Sequence, residues 1–242
     1  MDHAVLREDM VDGLEHALDL SEAVDVAMRT VPRERFVPER PYDNRTSEHE
    51  GTTILSPRTV ARLLDPLEAT EGDEVLVVGA GVGYTAAVLA EIVGERHVHA
   101  VDITRRLVWD ARRNLDDAGY GGVLVDCRDG AGGLPEYAPF DRILVEAAAV
   151  RPPRALLDQL APDGRLVMPM GGPDQTLVAV EGGSVVSRFG PVSFRPLLVD
   201  GEQAGGVARN RTEREDREFA TQGYFAPTGW EHDWIDWDDQ RF

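Results

Sequence analysis

Residues 74–84 read EVLVVGAGVGY, a short apolar run followed by a turn that contains three glycines. The β-branched run Val75–Val78 is typical of a strand buried on both faces. Apolar residues then recur through Tyr84–Val93, which predicts a helix. A strand, a glycine turn and a helix place unpaired helix N–H groups beside backbone that a ligand can approach closely. We therefore expect a ligand site at this turn.

The spacing of the glycines separates two kinds of nucleotide-binding turn. Gly79, Gly81 and Gly83 form a G-x-G-x-G pattern, whereas the dinucleotide-binding pattern G-x-G-x-x-G needs a glycine where Tyr84 stands. The observed pattern resembles the turn of methyltransferases that use S-adenosyl-L-methionine. An ordinary tight turn between a strand and a helix is the alternative.

A second feature, Asp102, favours a ligand that contains a nucleoside. Residues His97–Val101 read as the next strand, and Asp102 follows it directly. An acidic side chain at the tip of the second strand, about 20 residues beyond the glycine turn, can accept hydrogen bonds from both ribose hydroxyls. A surface aspartate without a ligand is the alternative.

The composition disfavours several classes of partner. The chain has 242 residues, with 44 Asp and Glu against 25 basic residues, all of them Arg, and a formal net charge of −19. This excess of acid disfavours binding to nucleic-acid phosphates or to an anionic membrane surface. An acidic chain without lysine resembles the proteins of salt-loving organisms, and a generally acidic cytoplasmic protein is the alternative.

The expected cellular location is based on cysteine content and on the lack of recognisable targeting or membrane-spanning segments. Cys127 is the single cysteine, so we predict neither a disulfide framework nor a cysteine-based metal site, and we expect this residue to be buried. We recognise no signal peptide and no apolar run of membrane-spanning length. We expect a cytoplasmic monomer that binds no nucleic acid, no membrane and no metal ion.

The rest of the chain alternates between helical and strand patterns, which predicts an α/β fold with a doubly wound, Rossmann-like sheet and helices on both faces. The predicted helices are a pair within residues 4–30, Arg58–Leu67, Thr104–Ala118 and Pro152–Leu160. The predicted strands are Val123–Val125, Phe140–Val145, Arg165–Pro169, the hairpin of Gln175–Val180 with Val185–Phe189, and Phe194–Val199. We divide the chain into an N-terminal helical segment with a substrate-side loop (1–50), a core expected to bind S-adenosyl-L-methionine (51–200) and an acidic, aromatic extension (201–242). The extension is expected to pack on the core, and a lid or partner-binding segment is the alternative.

Several motifs occur in the order and spacing of one enzyme family. They are VPRERFVPE (31–39), GTTILSP (51–57), VLVVGAGVGYTAAVLAEIVG (75–94), the pair Asp129–Gly130, and PEYAPFDRILVEAAA (135–149). Together they resemble the protein-L-isoaspartate O-methyltransferases, which methylate isoaspartyl residues in damaged proteins. The resemblance covers roughly residues 4–200.

The resemblance implies a cofactor, a substrate and a set of site residues. S-adenosyl-L-methionine is the implied cofactor, held by the three glycines of the turn and by Asp102, with Asp129 and Gly130 near the adenine. Isoaspartyl proteins or peptides are the implied substrate, and Thr53, Ile54 and Ser56 are the residues expected on its side of the site. A turn aspartate that faces solvent is the alternative for Asp129.

The sequence departs from the family pattern at the substrate side. The serine that the family carries in its active site falls on Leu55, and Ser56 is its neighbour. Neighbours in extended backbone point to opposite faces, so Ser56 can substitute only if the loop is reshaped. The alternative is that Thr52, Thr53 and Ser56 only cap the next helix.

Two further departures concern the lining of the site. Val77 stands where the family has an acid, and Glu146 stands where it has a small or hydroxyl residue. A carboxylate at position 146 could repel an acidic substrate or bind a cationic one. We expect it instead to form an ion pair with one of the arginines.

The implied reaction needs few catalytic groups. A substrate carboxylate is ionised at neutral pH and is already a nucleophile. We therefore predict no catalytic base, triad or metal, and assign binding and positioning residues only. Isoaspartyl methylation is the main hypothesis. A related methyltransferase with another carboxylate or small-molecule substrate and a non-catalytic S-adenosyl-L-methionine-binding module are the alternatives.

Overall fold

The computed structural model describes residues 2–198, which form a mixed main sheet flanked by helices and a separate two-stranded hairpin. The helices are α1 (His3–Glu15), α2 (Glu22–Thr30), α3 (Pro57–Leu64), α4 (Tyr84–Val93), α5 (Arg105–Ala118) and α6 (Arg154–Leu157). The strands are β1 (Ser47–His49), β2 (Thr52–Ile54), β3 (Val75–Val78), β4 (Val98–Asp102), β5 (Leu124–Cys127), β6 (Phe140–Val145), β7 (Leu160–Gly171), β8 (Gln175–Glu181) and β9 (Ser184–Val192).

The main sheet has seven strands in the order β5-β4-β3-β6-β7-β8-β9. Strands β5, β4, β3, β6 and β7 pair in parallel, and β8 and β9 add antiparallel strands at one edge. The chain leaves β3 toward β4 and β5 on one side, then returns to β6 on the other. Open α/β sheets bind ligands at the carboxyl ends of strands where the order reverses in this way.

The core lies on both faces of the sheet, as the pattern of β3 requires. All four of its residues are buried, and they alternate between the faces. Val75 and Val77 belong to an apolar cluster with helices α1–α5, whereas Leu76 and Val78 belong to a second cluster that includes Leu156 of α6. The prediction of a doubly wound α/β sheet with helices on both faces is confirmed.

Some of the predicted helix and strand boundaries are confirmed, and others are wrong. The structure reproduces Val75–Val78, Tyr84–Val93 and Phe140–Val145, and it places the last hairpin around the predicted Gly182–Gly183 turn. The helix predicted over Pro152–Leu160 is reduced to the single turn α6, because Leu160 already pairs with Phe140 in the sheet. Cys127 is exposed, so its predicted burial is wrong.

The final strand predicted over Phe194–Val199 is also wrong within the described residues. Residues 193–198 carry only an isolated bridge between Pro196 and Ala148. Proline has no N–H to donate to a sheet ladder, which limits pairing here. The backbone instead follows the end of β6, where Ala148 N donates to Arg195 O and Leu197 N donates to Ala148 O, both at 2.8 Å. This path brings the segment to the ligand end of the sheet, and the 201–242 extension lies outside the described residues.

Candidate active site

A cleft of about 530 Å³ opens at the carboxyl ends of β3, β4 and β6. Volumes of several hundred cubic ångströms are typical of small-molecule sites. The sheet side is lined by Gly79, Gly81, Asp102, Gly130 and Glu146, among others. The opposite side is formed by the β1–β2 hairpin and by residues 193–198. The cleft therefore lies at the reversal of strand order.

The glycine turn between β3 and α4 leaves bare backbone beside the cleft. Gly79, Gly81 and Gly83 all have positive φ, at 97°, 52° and 93°, a conformation that disfavours side chains. A Cβ on Gly83 would lie 3.2 Å from Cγ of Leu115, so this glycine permits α4 and α5 to pack closely. Gly79 and Gly81 line the cleft itself, whereas Gly83 lies outside it and faces α5.

Asp102 is fixed at the tip of β4 by backbone hydrogen bonds. Its Oδ2 accepts from Gly81 N at 3.0 Å, and its Oδ1 accepts from Thr104 N at 2.8 Å. Burial raises the pKa of this carboxyl, and the two N–H groups oppose that rise. A carboxylate oxygen accepts more than one hydrogen bond, so both oxygens keep capacity for a ligand.

These features fit the cofactor that the glycine pattern implies. The carboxylate of Asp102 offers two acceptors to the paired hydroxyls of a ribose, and the bare turn beside it admits close contact. Gly130 also lines the cleft; a Cβ there would lie 2.4 Å from Cγ1 of Val78, so the position is sterically limited to glycine. Asp129 is adjacent to it, and its Oδ1 accepts from Ala131 N at 2.8 Å.

The substrate side is built on the β1–β2 hairpin. Thr53 and Leu55 line the cleft, and Oγ1 of Thr53 donates to Oε1 of Glu48 at 3.1 Å. Arg195 joins this hairpin to the 193–198 segment, because it pairs with Oε2 of Glu48 at 2.8 Å and donates to the carbonyl of Gly51. The mouth of the cleft therefore carries one negative side chain, Glu48, and one positive side chain, Arg195.

Ile54 and Ser56 lie behind this surface. Ile54 is buried in the apolar core. Ser56 is the N-cap of α3: its Oγ accepts from Thr59 N at 3.2 Å and hydrogen-bonds with Thr59 Oγ1 at 2.9 Å. Of the three residues expected on the substrate side, only Thr53 lines the large cleft. The geometry favours the capping role for Ser56.

Replacing Ser56 by alanine should lower the free energy of unfolding by about 1 kcal/mol, because the N-cap of α3 is lost. Binding of S-adenosyl-L-homocysteine and the KM for a peptide substrate should stay within about twofold of the wild type. Chemical denaturation and steady-state kinetics check these values. An increase of KM by tenfold or more would place Ser56 in contact with the substrate.

Glu146 is partly buried at the end of β6, and the expected ion pair with an arginine does not form among residues 2–198. Its carboxyl interacts with the hydroxyl of Thr85, and its Oε1 is buried without a hydrogen-bond partner among the described residues. Burial, assisted by the charge of Asp102, raises the pKa of Glu146 to about 8. Arg33 lines a small pocket together with Glu146, but its Nε and Nη2 donate to backbone carbonyls and its Nη1 has no hydrogen-bond partner among the described residues.

Arg33 is a residue whose role sequence reasoning missed. Only 1% of it is exposed; its Nε donates to Pro41 O at 2.7 Å and its Nη2 to Leu55 O at 2.6 Å. The guanidinium also lies 4.4 Å from the ring centroid of Tyr84, the first residue of α4. Arg33 thus ties the chain before the hairpin to the substrate loop and to the glycine turn.

The histidines on β4 and before it have structural partners. Nδ1 of His97 lies 2.7 Å from Oε1 of Glu74, and the ring of His99 packs against Tyr137 and Phe140. Across residues 2–198 there is no group of three or more His, Cys, Asp or Glu side chains arranged to hold a metal ion. No helix in that same range is both long and apolar enough to cross a membrane.

Comparison with known families matches most of the chain, including every part of the cleft. A family model described as protein-L-isoaspartate(D-aspartate) O-methyltransferase matches residues 6–201. The chain belongs to this family. The family resemblance drawn from the motifs is therefore confirmed.

Relatives that carry the family name are similar to this chain along most of their length. The protein-L-isoaspartate O-methyltransferase of Methanosarcina mazei is 41% identical over 205 residues, covering 80% of this chain and 83% of the relative. The protein of that name from Methanothrix thermoacetophila is 45% identical over 200 residues, covering 79% and 94%.

Solved structures with the family name share the fold. A protein-L-isoaspartate O-methyltransferase aligns with a TM-score of 0.71 at 26% identity, over 87% of this chain and 69% of that chain. A Plasmodium falciparum protein, solved in complex with S-adenosyl-L-homocysteine, gives a TM-score of 0.69 over 79% of this chain and 98% of that chain. Its identity is 23%, so this second likeness concerns the fold alone. The chain thus shares its Rossmann-like methyltransferase sheet with both structures.

Proposed function

We propose that this chain is an S-adenosyl-L-methionine-dependent methyltransferase that esterifies the free carboxylate of isoaspartyl residues in damaged proteins and peptides. The observation that carries the proposal is the cleft, where the glycine turn and the Asp102 carboxylate lie within the family match at residues 6–201. The named relatives at 41% and 45% identity support the substrate class.

The residues of the cleft would hold the two reactants and exclude water. Gly79, Gly81 and Asp102 would bind the nucleoside part of the cofactor, with Gly130 beside the adenine. When bound, the cofactor supplies a methyl group already activated by its sulfonium. The hairpin with Thr53 and the 193–198 segment would cover the substrate. Holding ionised carboxylate and methyl group in line can lower the barrier by about 7–11 kcal/mol at best.

A matched peptide pair tests the proposal. Purified protein is incubated with labelled S-adenosyl-L-methionine and either an isoaspartyl peptide or the same sequence with normal aspartate. We expect methyl ester on the isoaspartyl peptide and none above background on the aspartyl peptide. Cofactor binding without transfer to either peptide would contradict the proposal and favour a non-catalytic binding module.

A second candidate function is a related methyltransferase with a different carboxylate or small-molecule substrate. The position of Leu55 favours it, because an apolar side chain lines the cleft where the family resemblance places a serine hydroxyl. A lost hydrogen bond to a charged group costs about 1.5–3 kcal/mol. Substrate affinity for isoaspartyl peptides would then be weak.

Replacing Leu55 by serine should raise kcat/KM for an isoaspartyl peptide by about tenfold, since one hydrogen bond to a charged group is gained. Initial rates of the variant and the wild type check this value, with Ser56→Ala as the matched hydroxyl control. A fall in kcat/KM with unchanged cofactor affinity would instead support a site shaped for another substrate.

We further propose that the protein works as a monomer in a salt-rich cytoplasm, without nucleic-acid or membrane partners. The composition supports this environment: a net charge of −19 without any lysine repels itself unless salt screens it. Raising KCl from about 0.1 M to about 1 M shortens the Debye length from about 10 Å to about 3 Å. The thermal midpoint should therefore rise over this range. A midpoint that falls or stays constant would contradict the proposed high-salt environment.

A further inference from the structure

Glu146 lies between the part of the cleft that contains Asp102 and the part formed by the hairpin and residues 193–198. Its backbone N donates to Val78 O at 2.8 Å, and its Cβ would lie 3.4 Å from a Cβ placed on Gly79. Two residues further on, Ala148 holds the 193–198 segment through backbone hydrogen bonds. Asp102 and Gly130 occupy the other side of β3. Since the nucleoside is assigned to that side, the reacting end of the ligand falls beside Glu146.

The charged groups that the structure describes around Glu146 form no ion pair with it. Asp102 faces it across β3 and carries the same charge sign when ionised. Glu48 and Arg195 line the cleft from the hairpin side, but they pair with one another. Within residues 2–198, Arg33 and Tyr84 are the other ionisable residues that line the small pocket with Glu146, and Arg33 donates to two backbone carbonyls.

The neutral carboxylic acid is therefore the form of Glu146 that this environment favours. Burial raises its pKa to about 8, so the acid form predominates at neutral pH. A neutral carboxyl group has an O–H to donate, whereas a carboxylate only accepts. The neighbouring Leu55 offers no hydroxyl, and the Thr53 hydroxyl already donates to Glu48. An incoming carboxylate needs donors when it leaves water.

We propose that Glu146, as a neutral carboxylic acid, donates a hydrogen bond to the substrate carboxylate and orients it for methylation. This inference rests on the proposed function and adds a substrate-binding residue to it. Glu146 keeps its proton throughout, because the attacking carboxylate oxygen is already ionised. At higher pH the carboxyl group of Glu146 loses its proton and can no longer donate. This ionisation therefore sets an upper pH limit for productive substrate binding.

The pH dependence of two variants tests the proposal. Initial rates are followed as S-adenosyl-L-homocysteine formed, because methyl esters hydrolyse in alkali. For the wild type, kcat/KM for the isoaspartyl peptide should fall about tenfold per pH unit above about 8. Glu146→Gln keeps an N–H donor and cannot ionise, so it should stay within about tenfold of the wild type at pH 7 and lack this fall. Glu146→Ala should lose at least about tenfold at pH 7.

The control is a carboxyl group outside the cleft, and three outcomes would overturn the proposal. Glu71→Gln removes an exposed carboxyl outside the cleft, and it should keep the wild-type profile. A wild-type rate that rises through pH 8, or a Glu146→Gln variant as inactive as Glu146→Ala, would mean that the ionised form works, and would overturn the proposal. An unchanged alkaline fall in Glu146→Gln would assign the titration to another group and also overturn it.

Stability provides a readout that does not depend on turnover. A carboxyl with its pKa raised from 4.5 to about 8 binds a proton in the folded state that the unfolded chain has released. As the pH rises between these two values, the unfolding free energy of the wild type should therefore fall relative to that of Glu146→Gln. A constant difference over this range would show that Glu146 is ionised when folded, against the proposal.

The assay distinguishes failure of the proposed function from failure of the role of Glu146. If the wild type methylates no isoaspartyl peptide at any pH, the proposed function fails, and the substrate role of Glu146 fails with it. If the wild type methylates the peptide but Glu146→Gln and Glu146→Ala keep its rate and its pH profile, only the role of Glu146 fails.

Discussion

Replacing Asp102 by alanine should weaken the binding of S-adenosyl-L-homocysteine by at least about 100-fold. The wild-type carboxylate can accept from two ribose hydroxyls, and each hydrogen bond to a charged group contributes about 1.5–3 kcal/mol. At about 1.4 kcal/mol per tenfold change, the pair corresponds to two orders of magnitude or more. Isothermal titration calorimetry on the folded variant measures the loss.

Asp102 also holds the backbone N–H groups of Gly81 and Thr104, so the loss has a local structural part. Asp102→Asn keeps the shape and one acceptor oxygen, and it should bind with an affinity between those of the wild type and Asp102→Ala. Asp117→Ala, which removes an exposed aspartate of α5, is the matched control and should bind like the wild type. Equal affinity of Asp102→Ala and the wild type would remove the ribose assignment.

Replacing Arg33 by alanine should lower the free energy of unfolding by about 3–5 kcal/mol. The change leaves the carbonyls of Pro41 and Leu55 without their charged donor and removes the cation that lies over Tyr84. Because the same bonds hold the substrate loop, KM for the peptide should also rise. Denaturant titration at fixed salt and steady-state kinetics measure the two effects.

Two variants separate packing from hydrogen bonding at this site. Arg33→Met keeps much of the buried volume without the charge, so it should be less destabilising than Arg33→Ala. Burial lowers the pKa of Arg33, which indicates that its charge is costly to bury. Arg35→Ala, at an exposed neighbouring position, should change stability by less than about 0.5 kcal/mol. A loss at Arg33 no larger than at Arg35 would contradict the structural role.

The central elements were predictable because local pattern and burial agree there. Val75–Val78 is rich in β-branched residues and buried on both faces, and the turn that follows carries glycines at the three positions with positive φ. The position of Asp102 then follows from the parallel pairing of β4 with β3. The spacing of these features along the chain thus determined the core of the cleft.

The substrate side could be predicted only in part, because distant segments build it. The role of Arg33 depends on Leu55, a residue 22 positions away, and the depth of Glu146 depends on how β6 packs beside the turn. The 193–198 segment has strand-like composition, but its proline and its attachment to Ala148 send it across the cleft. None of these contacts has a local sequence signal.

A sequential calorimetric titration tests the central claim most directly. The wild-type protein, in high salt, is titrated first with S-adenosyl-L-homocysteine and then, once saturated, with an isoaspartyl peptide. We predict one cofactor site per chain, followed by peptide binding that the matched aspartyl peptide does not reproduce. Well-folded protein that gives no heat with S-adenosyl-L-homocysteine would contradict the assignment of the cleft at Gly79 and Asp102.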